Sequence, residues 1–146
     1  MTTTNLDARL SSYSPAVLSL FRVVFGLMFT LFGTIHAFGW PIDFGIPFGS
    51  WPVWWAGAIE LVTGILITLG LFTRIAAFFA SGHMAVTYFW QHQPHGVWPM
   101  VPPEMGGNGG LDAILFCFAF FLLVLPAAAP TRWMPASAEN SLVLST

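Results

Sequence analysis

Three side chains able to do chemistry interrupt long apolar runs in this chain: Arg22 in SLFRVVFGL, Glu60 in AGAIELVTG and His83 in ASGHMAVTY. A guanidinium, a carboxylate and an imidazole can pair, bind a polar ligand or pass a proton. A second set lies at the edges of such runs: His36 near the end of the first, His92 and His95 in QHQPHG, and Asp112 in NGGLD. His36 follows Arg22 by almost four helical turns, so a helix presents both on nearly the same face. His92-x-x-His95 has a spacing that permits metal binding, but no third close ligand accompanies it. The single cysteine, Cys117, excludes an internal disulfide, a CxxC pair and a thiolate cluster made by this chain alone. There is no strand followed by GxGxxG, no GxxxxGK[ST], no HExxH and no GxSxG.

What positions these residues follows from composition. The sequence is 56% hydrophobic and 16% aromatic, but only 7% charged, against about 25% charged in an ordinary soluble domain. Fifteen Phe and seven Trp beside four basic side chains leave too little polar surface to wrap a water-soluble core. With no lysine and a net charge of -2, the chain has no basic patch for a phosphate backbone, and nucleic acid is excluded as a partner. The N-terminus, MTTTNLDARLSSYS, does not read as a cleaved signal peptide.

The apolar runs are 16–40, 52–72, 75–90 and 111–129, each long enough for most of a bilayer core about 30 Å thick. They predict an all-α, four-helix transmembrane bundle with helices at about 15–39, 52–72, 74–91 and 109–127. Residues 1–14 are then an N-terminal cytoplasmic segment, 15–129 the membrane domain and 130–146 a cytoplasmic tail. Arg9, Arg22, Arg74 and Arg132 lie at one end of these spans, and the two longer loops contain no arginine. By the positive-inside rule both termini and the Thr73-Arg74 turn are cytoplasmic. Trp40, Trp51, Trp54, Trp55, Trp90 and Trp98 collect at the opposite boundary, as an aromatic belt does.

Depth counting at 1.5 Å per residue places Arg22, Glu60 and His83 in one slab. Because an unpaired charge there costs several kcal/mol, an inner cluster Arg22-Glu60-His83 is expected. Gly57 and Gly64 bracket Glu60 and turn its face toward close helix packing. His36, Asp112 and His92 or His95, with Glu104 near them, form an outer rim that could bind a ligand from the aqueous side. Asn108 is placed to cap the fourth helix. Each group also has a plain structural reading: an ion pair fixing register, satisfied buried histidines, or loop histidines at an interface. Haem ligation by His36 and His83 is disfavoured by an expected height difference of about 10 Å, and neither haem nor flavin is expected.

The segments LFRVVFGLMFTLFGTIHAFGW, GAIELVTGILITLGLFTRIAAFFASGHMAVTYF, QHQPHG and GGNGGLDAILFCFAFFLLVL resemble the DoxX family of small four-helix membrane proteins, which includes the DoxD-like subunits. On that resemblance Glu60 matches the mid-helix glutamate, Arg74 the turn arginine and His36 the histidine ending helix one. His95-Gly96 matches the histidine-glycine loop, and Asn108 the polar start of helix four. Many members carry Glu where this chain has Leu111 or Asp112, and AAAPTRWM departs from the family's usual closing turn. The resemblance implies residence in the bacterial cytoplasmic membrane as an accessory subunit of a redox complex rather than an enzyme by itself. It points to a quinone as the ligand of the residues singled out above, His36, Glu60, Arg22, His83 and Asp112, with a divalent metal as the alternative ligand of the outer rim. It also implies partnership with membrane or periplasmic redox proteins; association with further copies of the chain is a separate expectation. The competing readings are a proton-coupled small-solute transporter, with Glu60 and His83 titrating, and a structural scaffold.

Overall fold

The computed structural model describes residues 3–125, with side chains from residue 13 onward. Tail 130–146, with Arg132 and Trp133, lies outside that range, as does the Arg9 side chain. The described residues form four α-helices: α1 (Thr3–Phe38), α2 (Val53–Leu69), α3 (Thr73–Thr87) and α4 (Leu111–Val124). A π-helical turn, Tyr88–His92, extends α3, and short 3-10 turns follow at Gln93–His95 and Pro103–Met105. The first helix starts earlier than its apolar run suggests. Residues before Pro15, expected as a separate segment, are already helical, and Pro15 lies inside α1. The stretch Tyr13–Phe38 is long and apolar enough to cross a membrane, whereas α2 and α4 are shorter apolar helices.

The helices pair as α1 with α2 and α3 with α4, with thinner contact between α2 and α3. Glycine sets the first pairing. A methyl group at Gly26 would lie 2.8 Å from the Thr68 nitrogen, and one at Gly64 would lie 2.7 Å from the Thr30 nitrogen. A methyl at Gly33 would strike the Leu61 backbone, and one at Gly57 would sit 2.6 Å from the His36 Cβ. Such contacts bring two backbones together as small residues do in membrane helix pairs. Thr30 and Thr68 return their hydroxyl protons to carbonyls one turn back, Gly26 and Gly64, at 2.8 Å, so neither leaves a polar group unpaired at this contact.

Small residues also line the second pairing, where Ala76, Ala77, Ala80 and Ser81 of α3 face Ala113, Phe116 and Phe120 of α4. Ser81 donates to the Cys117 carbonyl at 2.9 Å. Phenylalanines bridge α1 to α4: Phe29 meets Phe120 at 4.7 Å between ring centres and Phe116 at 5.4 Å. Between α2 and α3 the chain turns in three residues. Gly70 takes φ 80°, a left-handed conformation natural to glycine. The bonds Leu71 N–H to Leu66 O and Gly70 N–H to Ile67 O complete a Schellman motif. Arg74, just beyond, donates its Nε–H to the Val124 carbonyl at 3.0 Å, tying the start of α3 to the end of α4.

Candidate functional site: a carboxylate between two imidazoles

Glu60 is 3% exposed and lies where α1, α2 and α3 meet. Its Oε2 is 2.7 Å from His36 Nδ1, and its Oε1 is 3.5 Å from His83 Nε2. The α1–α2 register produces the first contact. Gly57 admits the His36 backbone, and Glu60, three residues on, projects from nearly the same face of α2. His83 comes from the other helix pair, so the carboxylate joins the two halves of the bundle. The His83 contact is the looser one: Nε2 is buried and makes no hydrogen bond among the described residues. A buried donor or acceptor left unpaired costs about 1–3 kcal/mol, so the hydrogen bonding of this nitrogen is incomplete as the helices stand.

Of the two partners expected for Glu60, His83 is present at 3.5 Å, whereas Arg22 is not, and the structure corrects that half of the inner cluster. Arg22 lies against Gly70, where a methyl group would come 2.6 Å from its guanidinium. That is about 15 Å along α2 from Glu60 at 1.5 Å per residue. The guanidinium sits instead at the C-terminal end of α2, where the helix dipole favours a cation. Depth counted from the run ends put Glu60 level with His83, as observed, but also level with Arg22, which the α1–α2 register holds well away from it. His36, expected in the outer rim, is the close partner of Glu60. The height difference assumed between His36 and His83 also disappears, since both imidazoles flank one carboxylate.

Glu60 faces two hollows. A groove of about 920 Å³ runs between α2 and α3; its upper part is lined by Trp51, Trp55 and Trp90, and its lower part by Ile59, Val62, Phe79 and Val86. The last four are at least 43% exposed, so the groove opens on the flank of the bundle. Glu60, His36, His83 and His92 are its ionisable groups. On the far side, a partly open hollow of about 190 Å³ is lined by Phe29, Phe32, Met84 and Phe116 with His36, Glu60, His92 and Asp112. Three residues expected in the outer rim, His36, His92 and Asp112, therefore do border one space.

The loop above α4 fixes the other candidates. Asn108, 1% exposed, donates to the Gly96 carbonyl at 2.9 Å and accepts from Gly110 N–H at 2.8 Å. It thus braces the residue preceding α4 and makes no bond to the helix's own first amides, which differs from the expected cap. His92 Nδ1–H donates to the Asn108 carbonyl at 2.9 Å. His95 Nδ1–H donates to the Gln91 carbonyl at 2.8 Å; His95 is exposed and borders neither hollow, as does Glu104. Among the described residues no three His, Cys, Asp or Glu side chains are disposed to hold a metal ion.

The groove walls were not singled out in the sequence. Their signal was Gly82, which has nothing within 4 Å of a methyl built on it. A small residue facing a small residue closes a helix contact, whereas Gly82 faces open space and widens it. The π-helical turn gave no signal at all: Gln93 N–H reaches back five residues to the Tyr88 carbonyl. A turn of this kind shifts the side chains that follow it, and such turns recur at functional sites.

A carboxylate held between imidazoles offers donors and acceptors to a carbonyl or hydroxyl oxygen and can hold or release a proton. Comparison with known proteins agrees with the earlier resemblance. The family model described as DoxX matches residues 17–93. An uncharacterised protein of Haemophilus influenzae is 38% identical over 122 residues, covering 82% of this chain and 89% of the relative. No solved structure matches the chain. By the family model, which covers more than half of its length, the chain belongs to the DoxX family.

Proposed function

We propose that the chain is a multi-pass protein of the bacterial cytoplasmic membrane and an accessory subunit of a redox complex, and that its α2–α3 groove holds a quinone-type ligand. The observation that carries the ligand reading is the groove itself. It is about 920 Å³, apolar along its walls, open sideways, and provided with polar groups at Glu60, His36 and His83. A molecule with an apolar tail and a ring bearing carbonyl oxygens meets both demands. Its tail occupies the flank near Val62 and Phe79, and an oxygen accepts a hydrogen bond from an imidazole. The unpartnered His83 Nε2 supports a ligand that completes its hydrogen bonding.

The membrane reading is supported by what the helices leave outside. Only 17% of the most apolar window of Tyr13–Phe38 is buried, whereas a soluble core helix would be mostly enclosed. Leu20, Val24, Leu27, Ile65, Leu69, Ile75, Phe78, Leu115, Phe118 and Leu122 are likewise exposed, an apolar surface larger than water-soluble monomers expose. Helix α2 spans about 25 Å at 1.5 Å per residue, and α3 with its π-helical turn spans a similar length. The shorter α4 starts beneath the loop braced by Asn108.

Transport is less favoured, because the packed layer of Ile67, Ala77, Ala80 and Phe120 closes the bundle on the Arg74 side of the site. A direct test uses protein purified in mild detergent and decyl-benzoquinone as the probe. Quenching of Trp51, Trp55 and Trp90 should saturate, and the quenching should weaken in His83→Ala. Linear, non-saturating quenching that is the same in both proteins would overturn the ligand reading.

A further inference from the structure

We propose that Asp112 and His92 exchange protons between the buried Glu60–His36 pair and the water at the loop-bearing end, through the small cavity beneath α4. This rests on the reading of Glu60 as a ligand-contacting group and adds to it a route for protons. Four groups, His36, Glu60, Thr87 and His92, border both hollows, so Glu60 is reached from two sides. A ligand in the flank groove covers one side and its apolar walls exclude water there. The small cavity then remains as the aqueous approach.

Its composition suits that use. A space of about 190 Å³ holds several waters, which need two to four polar partners each. Glu60, His36, Thr87, His92 and Asp112 supply them. Asp112 borders the cavity yet is exposed, so one carboxylate touches both the interior and the outside. His92 is fixed in one tautomer when neutral. A carbonyl only accepts, so the bond to Asn108 O places the ring proton on Nδ1 and leaves Nε2 as the free acceptor.

The groups facing Glu60 are His36 from α1, His83 from α3, His92 from the π-helical turn and Asp112 from α4 across the cavity. Arg22 is too distant to take part. In the exchange, the Glu60 carboxyl O–H or the His36 N–H breaks and a hydronium-like proton passes to cavity water. A new N–H or O–H then forms on His92 Nε2 or the Asp112 carboxylate, and that group releases the proton to bulk water. No electrons move. Toward the Arg74 end, buried Phe29, Ile67 and Phe120 block a second aqueous route.

The test is a pH jump on protein in lipid nanodiscs, followed by infrared absorption of the carboxyl band that Glu60→Gln removes. In the unmodified protein that band should follow the jump. Asp112→Asn should slow the relaxation about tenfold or more, as loss of a proton-transferring side chain does, with the amplitude kept. Asp112→Glu should restore the rate. Ala113→Leu, which fills the cavity without replacing an ionisable group, should slow it too. Relaxation at the original rate in both Asp112→Asn and Ala113→Leu overturns the proposal, and so does the absence of any Glu60 band that responds to pH. Decyl-benzoquinone quenching in the same samples reports separately on the ligand reading. Saturable quenching with unaltered relaxation means that the proton route alone has failed.

Discussion

At the scale of single residues, the two imidazoles of Glu60 are not equivalent. His36 sits at 2.7 Å and His83 at 3.5 Å without a hydrogen bond. Removing one member of a buried pair costs about 3–5 kcal/mol because the other charge is left stranded. His36→Ala should therefore lower thermal stability in detergent by an amount near that range, and His83→Ala by clearly less. Equal losses would show that the two contacts carry equal weight. Much of this site could be read from the sequence: a lone carboxylate flanked by Gly57 and Gly64 had to face a neighbouring helix. One partner, His83, was read from depth; the closer one, His36, was not, because counting from the run ends put it in the outer rim and put Arg22 in its place. The glycines themselves do not face each other: Gly33 lies against Leu61, Gly57 against His36 and Gly64 against Thr30. That offset register, which brings His36 rather than Arg22 beside Glu60, has no signal in the glycine spacing alone.

At the scale of elements, glycines divide into those that close a contact and those that hold one open. Gly33 meets the Leu61 backbone, and a backbone cannot swing aside. Gly33→Val should separate α1 from α2 and cost about 1–3 kcal/mol through overpacking, and it should also weaken quinone-probe binding by moving His36 from Glu60. Gly82 behaves oppositely. Nothing lies within 4 Å of its added methyl, and glycine inside a helix is less stable than alanine by about 0.5–1 kcal/mol. Gly82→Ala should raise the unfolding temperature. Gly82→Leu should keep the fold and abolish saturable quenching of the groove tryptophans, and undiminished quenching would place the probe elsewhere. The four helices were legible from apolar length. The π-helical turn was not, since YFWQH has no residue whose local preference differs from an ordinary helical turn.

At the scale of the whole molecule, the arginine-free longer loops and Arg74 at the start of α3 make the membrane orientation testable. With Cys117 replaced by Ala, single cysteines at Ser50 and Gln93 should react with an impermeant thiol reagent in intact cells, and one at Leu71 should not. Labelling of Leu71 alone would reverse the orientation. The accessory-subunit reading predicts that gentle extraction recovers the chain together with membrane or periplasmic redox proteins. Repeated recovery of the chain by itself would count against it. The outer end was the least legible part: which histidine of QHQPHG turned inward depended on the π-helical turn and on Asn108, features of backbone geometry rather than of composition.

The flank opening of the α2–α3 groove has one more consequence. On the proposed multi-pass, ligand-binding reading, residues such as Val62 and Phe79, exposed at its mouth, meet acyl chains, and a hydrophobic ligand arrives by diffusion within the bilayer. Occupancy then follows the ligand's mole fraction in lipid rather than its amount per litre of buffer. Adding protein-free vesicles at constant total ligand should dilute the ligand into new lipid and empty the groove. An affinity expressed in aqueous units would drift with lipid content, whereas the same measurement expressed per lipid molecule would stay constant.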